Sequence, residues 1–133
     1  MNQREVWNCL GDDWRKFRDT PPKDVVDFLK NKKGFVLDLG CGSGRNFMKI
    51  DGTIIGIDFS ETMVRFARKN AKLSKLDIPL VMSEATELPF AENSFDCVLC
   101  VATLHCVKVN HHRKVLEEIR RGKASLEEVF LTL

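Results

Sequence analysis

A short, almost wholly apolar segment runs directly into a glycine-rich turn. Phe35–Leu39 (FVLDL) is followed by Gly40, Gly42 and Gly44, in the pattern G-x-G-x-G. An apolar run of this length is typical of a strand with both sheet faces covered. Closely spaced glycines let the backbone turn sharply and approach a ligand. Since open α/β sheets bind ligands at the carboxyl ends of their strands, we predict a binding site in this turn.

Strand-like and helix-like segments alternate along the chain. Further strands are predicted at residues 53–58, 79–83 and 95–103. Helices are predicted after Thr20 and Ser60, which serve as N-caps, and after Asn110; a short helix is expected after the glycines. Their inward-facing residues are expected to be Val25, Val26, Phe28 and Leu29; Phe47, Met48 and Ile50; Met63, Phe66, Ala67 and Ala71; and Val115, Leu116 and Ile119. This alternation predicts an α/β fold with a doubly wound parallel sheet.

Residues 125–133 fit two structures. Phe130–Leu133 can form a fifth strand after a turn at Gly122. Alternatively, Ser125 and Glu128 form a capping box ahead of apolar residues at helical spacing. We favour the helix.

Composition indicates one folded domain over residues 1–133. The 133 residues are 44% hydrophobic and 30% charged, which argues against disorder, and the net charge of +2 neither indicates nor excludes a nucleic-acid partner. With no signal peptide or membrane span in sight and five irregularly spaced cysteines, we expect reduced thiols in a cytoplasmic protein. Cys97 and Cys100 would point to opposite faces of a strand, which a shared zinc ion cannot use, so no metal site is expected.

The acids around the glycines indicate the ligand. The spacing differs from the dinucleotide pattern G-x-G-x-x-G, which argues against a nicotinamide dehydrogenase. The loop amides and a following helix would favour an anionic group, whereas Asp38 would repel a pyrophosphate and suits an ammonium group. Asp58 ends the second strand, where an acid can accept hydrogen bonds from ribose or cap the next helix. Phe59 can lie against adenine. Together these features predict S-adenosylmethionine.

Four sequence blocks resemble the class I S-adenosylmethionine-dependent methyltransferases. They are VLDLGCGSG (36–44), IIGIDFS (54–60), SEATELPFAENSFD (83–96) and VLCVATLHCV (98–107). The resemblance implies a Rossmann-like methyltransferase fold and methyl transfer. In the family an aspartate before alanine usually contacts the adenine amino group, where this chain has Glu84 before Ala85. The implied cofactor-binding residues are Asp38, Gly40, Cys41, Gly42, Gly44, Asp58, Phe59, Glu84, Ala85 and Val101.

A narrower resemblance involves residues 14–30, the LHCV segment and the helix after it. These are similar to the tRNA wobble-uridine methyltransferases, which methylate a carboxymethyl or hydroxy-carboxymethyl group. The resemblance implies that Arg18, His105 and Arg113 flank the substrate, and that tRNA and a small zinc-containing activator protein are partners. In such a reaction the carboxylate of the modified uridine is the nucleophile, and because it is already ionised at neutral pH, the enzyme needs no general base. The alternatives are a small-molecule methyltransferase and a non-catalytic cofactor-binding remnant.

The chain is shorter than this family's fold. The family's sheet has seven strands, whereas this sequence ends at Leu133 after four strands or a fifth. We therefore expect the fold to be truncated at its C-terminus. A fragment, a natural truncation and completion by a homo-oligomeric partner are the alternatives.

Overall fold

A parallel β-sheet forms the centre of the computed structural model, which describes residue 4 and residues 20–101, 109–122 and 129–131. Its strands are β1 (Phe35–Leu39), β2 (Thr53–Asp58), β3 (Leu80–Met82), β4 (Cys97–Cys100) and β5 (Val129–Leu131). The helices in these ranges are α1 (Lys23–Leu29), α2 (Glu61–Leu73) and α3 (His112–Gly122), with a 3₁₀ turn at Val109–His111 before α3.

The strands lie in the order β3-β2-β1-β4-β5, and every neighbouring pair is parallel. On the central strand β1, Asp38 is aligned with Gly56 of β2 and Leu99 of β4. The carboxyl ends of the strands therefore meet at one edge of the sheet. The predicted parallel α/β architecture is confirmed.

Helices cover both faces of the sheet. One core cluster joins α1 and α2 to the first face and includes Val25, Leu29, Val36, Ile54, Ala67, Ala71, Cys97 and Leu99. The second joins α3 to the other face and includes Leu37, Leu39, Ile57, Val98, Cys100, Val115 and Ile119. Cys97 and Cys100 thus lie on opposite faces, as the strand period predicts.

One of the two predicted helix N-caps is confirmed and the other is wrong. Ser60 caps α2, since its side chain accepts a hydrogen bond from the Met63 amide (3.3 Å). The prediction of Thr20 as the cap of α1 is wrong: extended Pro22 holds that position without a side-chain cap bond. A residue before proline is held away from helical geometry, so the helix begins only after the second proline. Within the described ranges, no helix combines the length and apolarity needed to cross a lipid bilayer.

Leu116 is not an inward-facing residue of α3. It is 44% exposed, whereas Val115 and Ile119 are buried. Residues four apart share a helix face, while the next residue along is rotated by about 100°. The inward face of α3 is therefore set by Val115 and Ile119.

The expected short helix after the glycine loop does not form. Residues 42–46 are turns and residues 47–50 have no regular structure. Only residues 45–52 lie between Gly44 and β2, and a helix that short gains few backbone hydrogen bonds for the cost of forming its first turn. Phe47 and Ile50 are nevertheless buried in the first core cluster, which confirms that these side chains face inward although no helix forms.

The favoured helix over residues 125–133 is also wrong where the structure describes this segment. Val129–Leu131 is strand β5, with Val129 aligned with Val98 of β4. Strand pairing supplies β4 with backbone partners on its second side. Phe130 also packs on Phe28 of α1, with ring centroids 5.2 Å apart. Backbone pairing and this aromatic contact favour the strand over an isolated amphipathic helix.

Candidate functional site

Hydrogen bonds join the carboxyl ends of three neighbouring strands. The Cys41 amide, just after β1, donates to the carbonyl of Ile57 in β2 (2.9 Å). The Gly42 amide donates to the Asp58 carboxylate (3.0 Å), and the Ser83 amide donates to the Asp58 carbonyl (3.0 Å). The glycine loop, the end of β2 and the segment after β3 therefore form one continuous edge.

Asp58 holds this edge together through both carboxylate oxygens. Oδ2 accepts from the Gly42 amide, while Oδ1 accepts from the Ser60 amide at 2.9 Å. Burial raises the pKa of Asp58 above its ordinary value, although these amide bonds oppose the rise. Asp58 thus contacts Ser60 at the start of α2, in agreement with the alternative prediction that it caps the next helix. Because a carboxylate offers about four lone-pair positions, capacity is left for further donors such as hydroxyls.

Asp38 is a buried carboxyl group with an unmet hydrogen-bonding need. It is 1% exposed, and its Oδ2 has no hydrogen-bond partner among the described residues. Burial, with a further contribution from the charge of Asp58, raises the pKa of Asp38 to about 7. Buried polar atoms rarely lack a partner, so this oxygen marks a place for an external donor. The side-chain oxygen of Asn46 is unpartnered in the same sense.

The glycine loop leaves space beside these groups. Gly40, Gly42 and Gly44 all have positive φ, the region that side chains disfavour. A Cβ at Gly44 would collide with the ring of Phe47, so packing excludes a side chain there. A Cβ at Gly42 would meet no described atom within 4 Å, so its Cβ position is open space. A ligand can approach the backbone at Gly42.

Three of the loop amides are bonded within the protein rather than left open for an anion. The amides of Cys41 and Gly42 donate to the end of β2, and the Gly44 amide donates to the Cys41 carbonyl (3.0 Å). No helix follows the loop to add a positive N-terminus. These three donors are consumed within the protein, so the buried acids Asp38 and Asp58 are the groups beside the loop that can accept from a ligand.

Asn70 is a site residue that the sequence analysis missed. From α2, its side-chain amide donates to the carbonyls of Ser43 (3.2 Å) and Gly44 (2.9 Å). It thereby fixes the loop to the helix that covers it. Its position beside the buried Ala71 was the available signal, because a polar residue at the margin of an inward face often has a partner inside the protein.

Cys41 contributes backbone rather than a reactive side chain. The thiol is buried and donates to the carbonyl of Gly42 (3.5 Å). Burial, followed by the charges of Asp38 and Asp58, raises the pKa of the thiol well above its ordinary value. A thiol in this state is a poor nucleophile.

The remaining predicted cofactor residues border the same edge. Phe59, Ala85 and Val101 are half-buried. Glu84 is exposed, and its carboxylate lies 3.5 Å from the guanidinium of Arg4, an ion pair open to solvent. Such exposed pairs contribute little to stability, so Glu84 is available to other donors.

Of the three residues predicted to flank the substrate, the structure describes Arg113 alone. Arg113 lies on α3 with its side chain 92% exposed, and its Nε is 3.6 Å from the Glu117 carboxylate. Arg18 and His105 lie outside the described residues.

Comparison with known proteins places the chain in a family. Residues 36–123 match the family described as a methyltransferase domain. A candidate methyltransferase of Encephalitozoon cuniculi is 35% identical over 97 residues, covering 72% of this chain and 43% of that protein. The demethylmenaquinone methyltransferase of Listeria welshimeri is 33% identical over 107 residues, covering 74% of this chain and 44% of that protein. The chain thus spans less than half the length of these curated relatives.

A solved structure agrees with this assignment. The S-adenosylmethionine-dependent methyltransferase from Aquifex aeolicus superposes with a TM-score of 0.67 at 26% identity, covering 92% of this chain and 68% of that one. The matched family range contains the glycine loop, Asp38, Asp58 and the segment after β3. The chain belongs to the methyltransferase domain family.

Proposed function

We propose that this chain binds S-adenosylmethionine and transfers its methyl group to an acceptor. The observation that carries the proposal is the buried, unpartnered Oδ2 of Asp38, on the strand that leads into the glycine loop with its open Cβ position at Gly42. An ammonium group that donates to this oxygen would remove an unsatisfied buried acceptor. The family match and the S-adenosylmethionine-dependent neighbour support the same ligand.

The residues of the site suit the parts of this ligand. Asp38 would accept from the ammonium of the methionine end, and Asp58 from the ribose hydroxyls. Phe59 and Ala85 would border the adenine ring, with Glu84 accepting from its amino group. When bound, the cofactor supplies a methyl group already activated by the positive sulfur. The work of the protein is then to align the acceptor and to exclude water.

Calorimetric titration with S-adenosylhomocysteine tests the proposal. We expect the wild-type chain to bind and Asp38→Asn to bind at least about tenfold more weakly, because a charge-assisted hydrogen bond is lost. Asp51→Asn, which makes the same change at an exposed aspartate, should bind like the wild type. A wild-type chain that does not bind the ligand would refute the proposal.

For the acceptor, we propose a small, largely apolar molecule such as a quinone precursor. The observation in favour is the similarity to the demethylmenaquinone methyltransferase of Listeria welshimeri. Transfer of a radiolabelled methyl group to such a precursor, dependent on intact Asp38, is the expected result. A chain that binds the cofactor but methylates neither a small molecule nor RNA would instead be the non-catalytic remnant.

The second candidate acceptor is a modified wobble uridine of tRNA. The observation in favour is the exposed guanidinium of Arg113, which could donate to a substrate carboxylate or to a phosphate. In this proposal Arg18 and His105 also flank the substrate, and a small zinc-containing activator protein is a partner. RNA binding that weakens steeply with salt favours tRNA, whereas binding that is absent with and without the activator favours the small molecule.

A further inference from the structure

The segment between β3 and β4 needs partners for its backbone. Residues 83–96 form turns and bends or have no regular structure, so they lack the hydrogen bonds of a helix or sheet. The segment includes Glu84 and Ala85, the residues proposed above to face adenine. Its first turn is closed by the Glu87 amide, which donates to the Glu84 carbonyl (3.3 Å). The Ser83 hydroxyl donates to the Glu87 carbonyl (3.2 Å).

The residues after this turn are fixed by Glu118 of α3. Its Oε1 accepts from the Leu88 amide (2.8 Å), and its Oε2 accepts from Nε of Arg121 (2.7 Å). The Glu118 side chain is only 8% exposed. The hydrogen bond from Arg121 is the main reason that the pKa of Glu118 lies below its ordinary value.

Arg121 binds the same segment from its other side. Its Nη1 donates to the Phe90 carbonyl (2.6 Å) and its Nη2 to the Leu88 carbonyl (3.1 Å). The backbone of α3 adds two contacts, since the Asn93 amide donates to the Arg121 carbonyl (3.0 Å) and the Phe95 amide to the Gly122 carbonyl (3.1 Å). A carboxylate as buried as that of Glu118 is costly unless hydrogen bonds satisfy it, and here half-buried Arg121 and the segment supply them.

We propose that Glu118 and Arg121 are positioning residues that hold the 83–96 segment so that Glu84 and Ala85 meet the adenine ring. The inference rests on the proposed function. The pair acts through the backbone of Leu88 and Phe90, and the closed turn from Glu84 to Glu87 carries that position back to Glu84. The forked guanidinium of Arg121 contacts two carbonyls and a carboxylate at once, which the single ammonium of lysine cannot reproduce.

The test compares the affinities of two ligands in matched variants of the full chain. The ligands are S-adenosylhomocysteine and S-inosylhomocysteine, in which an oxygen replaces the adenine amino group. We expect the wild type to prefer the adenine form by about tenfold, the size of one charged hydrogen bond. In Arg121→Lys this preference should fall to about twofold or less. Arg120→Lys, at the exposed neighbouring position, should retain it.

The ratio of the two affinities separates a positioning role from a general effect on stability, because a less stable fold would weaken the binding of both ligands equally. An unchanged ratio in Arg121→Lys would overturn the inference, and so would a wild type that binds both ligands alike. A wild type that binds neither ligand would instead refute the proposed function, and this inference with it. If Arg121→Lys does not fold, Glu118→Gln and its exposed neighbour Glu117→Gln provide the same comparison, with the preference reduced only in Glu118→Gln.

Discussion

At the scale of single residues, the electrostatics of the site centre on two neighbouring acids. Asp38 is buried, and the charge of Asp58 further disfavours its ionised form. A buried carboxylate with one unpartnered oxygen is costly to ionise inside a protein, so the site is electrostatically unfavourable at neutral pH. A cationic ligand group placed there would relieve this cost, so the proposed ligand should stabilise the folded chain.

Asp38→Asn should make the stability of the ligand-free chain less dependent on pH. The pKa of Asp38 in the folded chain, about 7, lies above its ordinary value of 3.8. The contribution of Asp38 to the free energy of unfolding is therefore most favourable below pH 3.8, where the carboxyl group is protonated in both states, and is lost as the pH rises through 7. Between about pH 5 and about pH 8 the wild type should lose roughly 2–3 kcal/mol more than the variant. Urea unfolding at both pH values measures this difference. Parallel pH profiles of the two chains would contradict the prediction.

Asp58→Asn should weaken both the fold and ligand binding. The amide keeps the size of the carboxylate but has one acceptor oxygen, so one of the amides of Gly42 and Ser60 loses its partner. We expect a loss of about 1–3 kcal/mol in the free energy of unfolding and at least about tenfold weaker binding of S-adenosylhomocysteine. Urea unfolding and calorimetry give the two values. Asp51→Asn is the control, and equal values for the two variants would count against this role.

The sequence predicts the two acids of the candidate site but not the residues that hold its loops in place. Asp38 and Asp58 each follow directly from a strand pattern, since their positions at strand ends are local features. The contact of Asn70 with the glycine loop spans 26 residues in sequence and depends on how α2 packs on the sheet. The contacts of Glu118 and Arg121 with the 83–96 segment are non-local in the same way. Local patterns do not contain this information.

At the scale of elements, the positions of helices were harder to predict than the identity of their buried side chains. Ser60 has the expected side-chain contact to Met63, whereas two prolines shift the start of α1 beyond Thr20. The residues after the glycine loop were expected to be helical because their apolar spacing suited a helix. Only residues 45–52 lie between Gly44 and β2, which is too short a segment to repay the cost of starting a helix. Apolar spacing therefore identifies buried side chains without showing whether a segment is long enough to be helical.

Ser60→Ala should destabilise α2 at its first turn. The Met63 amide would lose its acceptor, and loss of an N-cap costs about 1 kcal/mol. Equilibrium urea unfolding gives the loss. Ser74→Ala, at the other end of the same helix, removes only a long, exposed hydrogen bond to Asn70 (3.4 Å) and should change stability by less than about 0.5 kcal/mol. Equal losses in the two variants would show that the cap does not act as described.

At the scale of the whole molecule, the alternation of strands and helices was sufficient to predict a parallel sheet. The pattern does not specify which strands are neighbours, and the order β3-β2-β1-β4-β5 became known only from the structure. The C-terminal strand was the alternative that we did not favour, because Val129–Leu131 is short and its residues also fit a helical face. Its partner, β4, precedes it by about thirty residues.

Leucines at the centre and at the edge of the sheet should differ sharply in their contribution to stability. Leu37 on β1 is 1% exposed, whereas Leu131 on β5 is 43% exposed. Leu37→Ala should cost about 2–5 kcal/mol, because a buried side chain is lost and a cavity is left. Leu131→Ala should cost less than about 1 kcal/mol, since part of its surface is already in water. Similar urea midpoints for the two variants would contradict the described arrangement.

The Asp58 carboxylate has a consequence for how affinity can evolve in this chain. The same two oxygens that would bind a sugar also determine the shape of the glycine loop, through the amides of Gly42 and Ser60. Loop shape and sugar binding are therefore energetically coupled. A mutation that shifts the glycine loop should alter recognition of the sugar even when the mutated residue does not contact the sugar. Substitutions in the loop and at the end of β2 should be strongly non-additive, so selection would have to tune the two together.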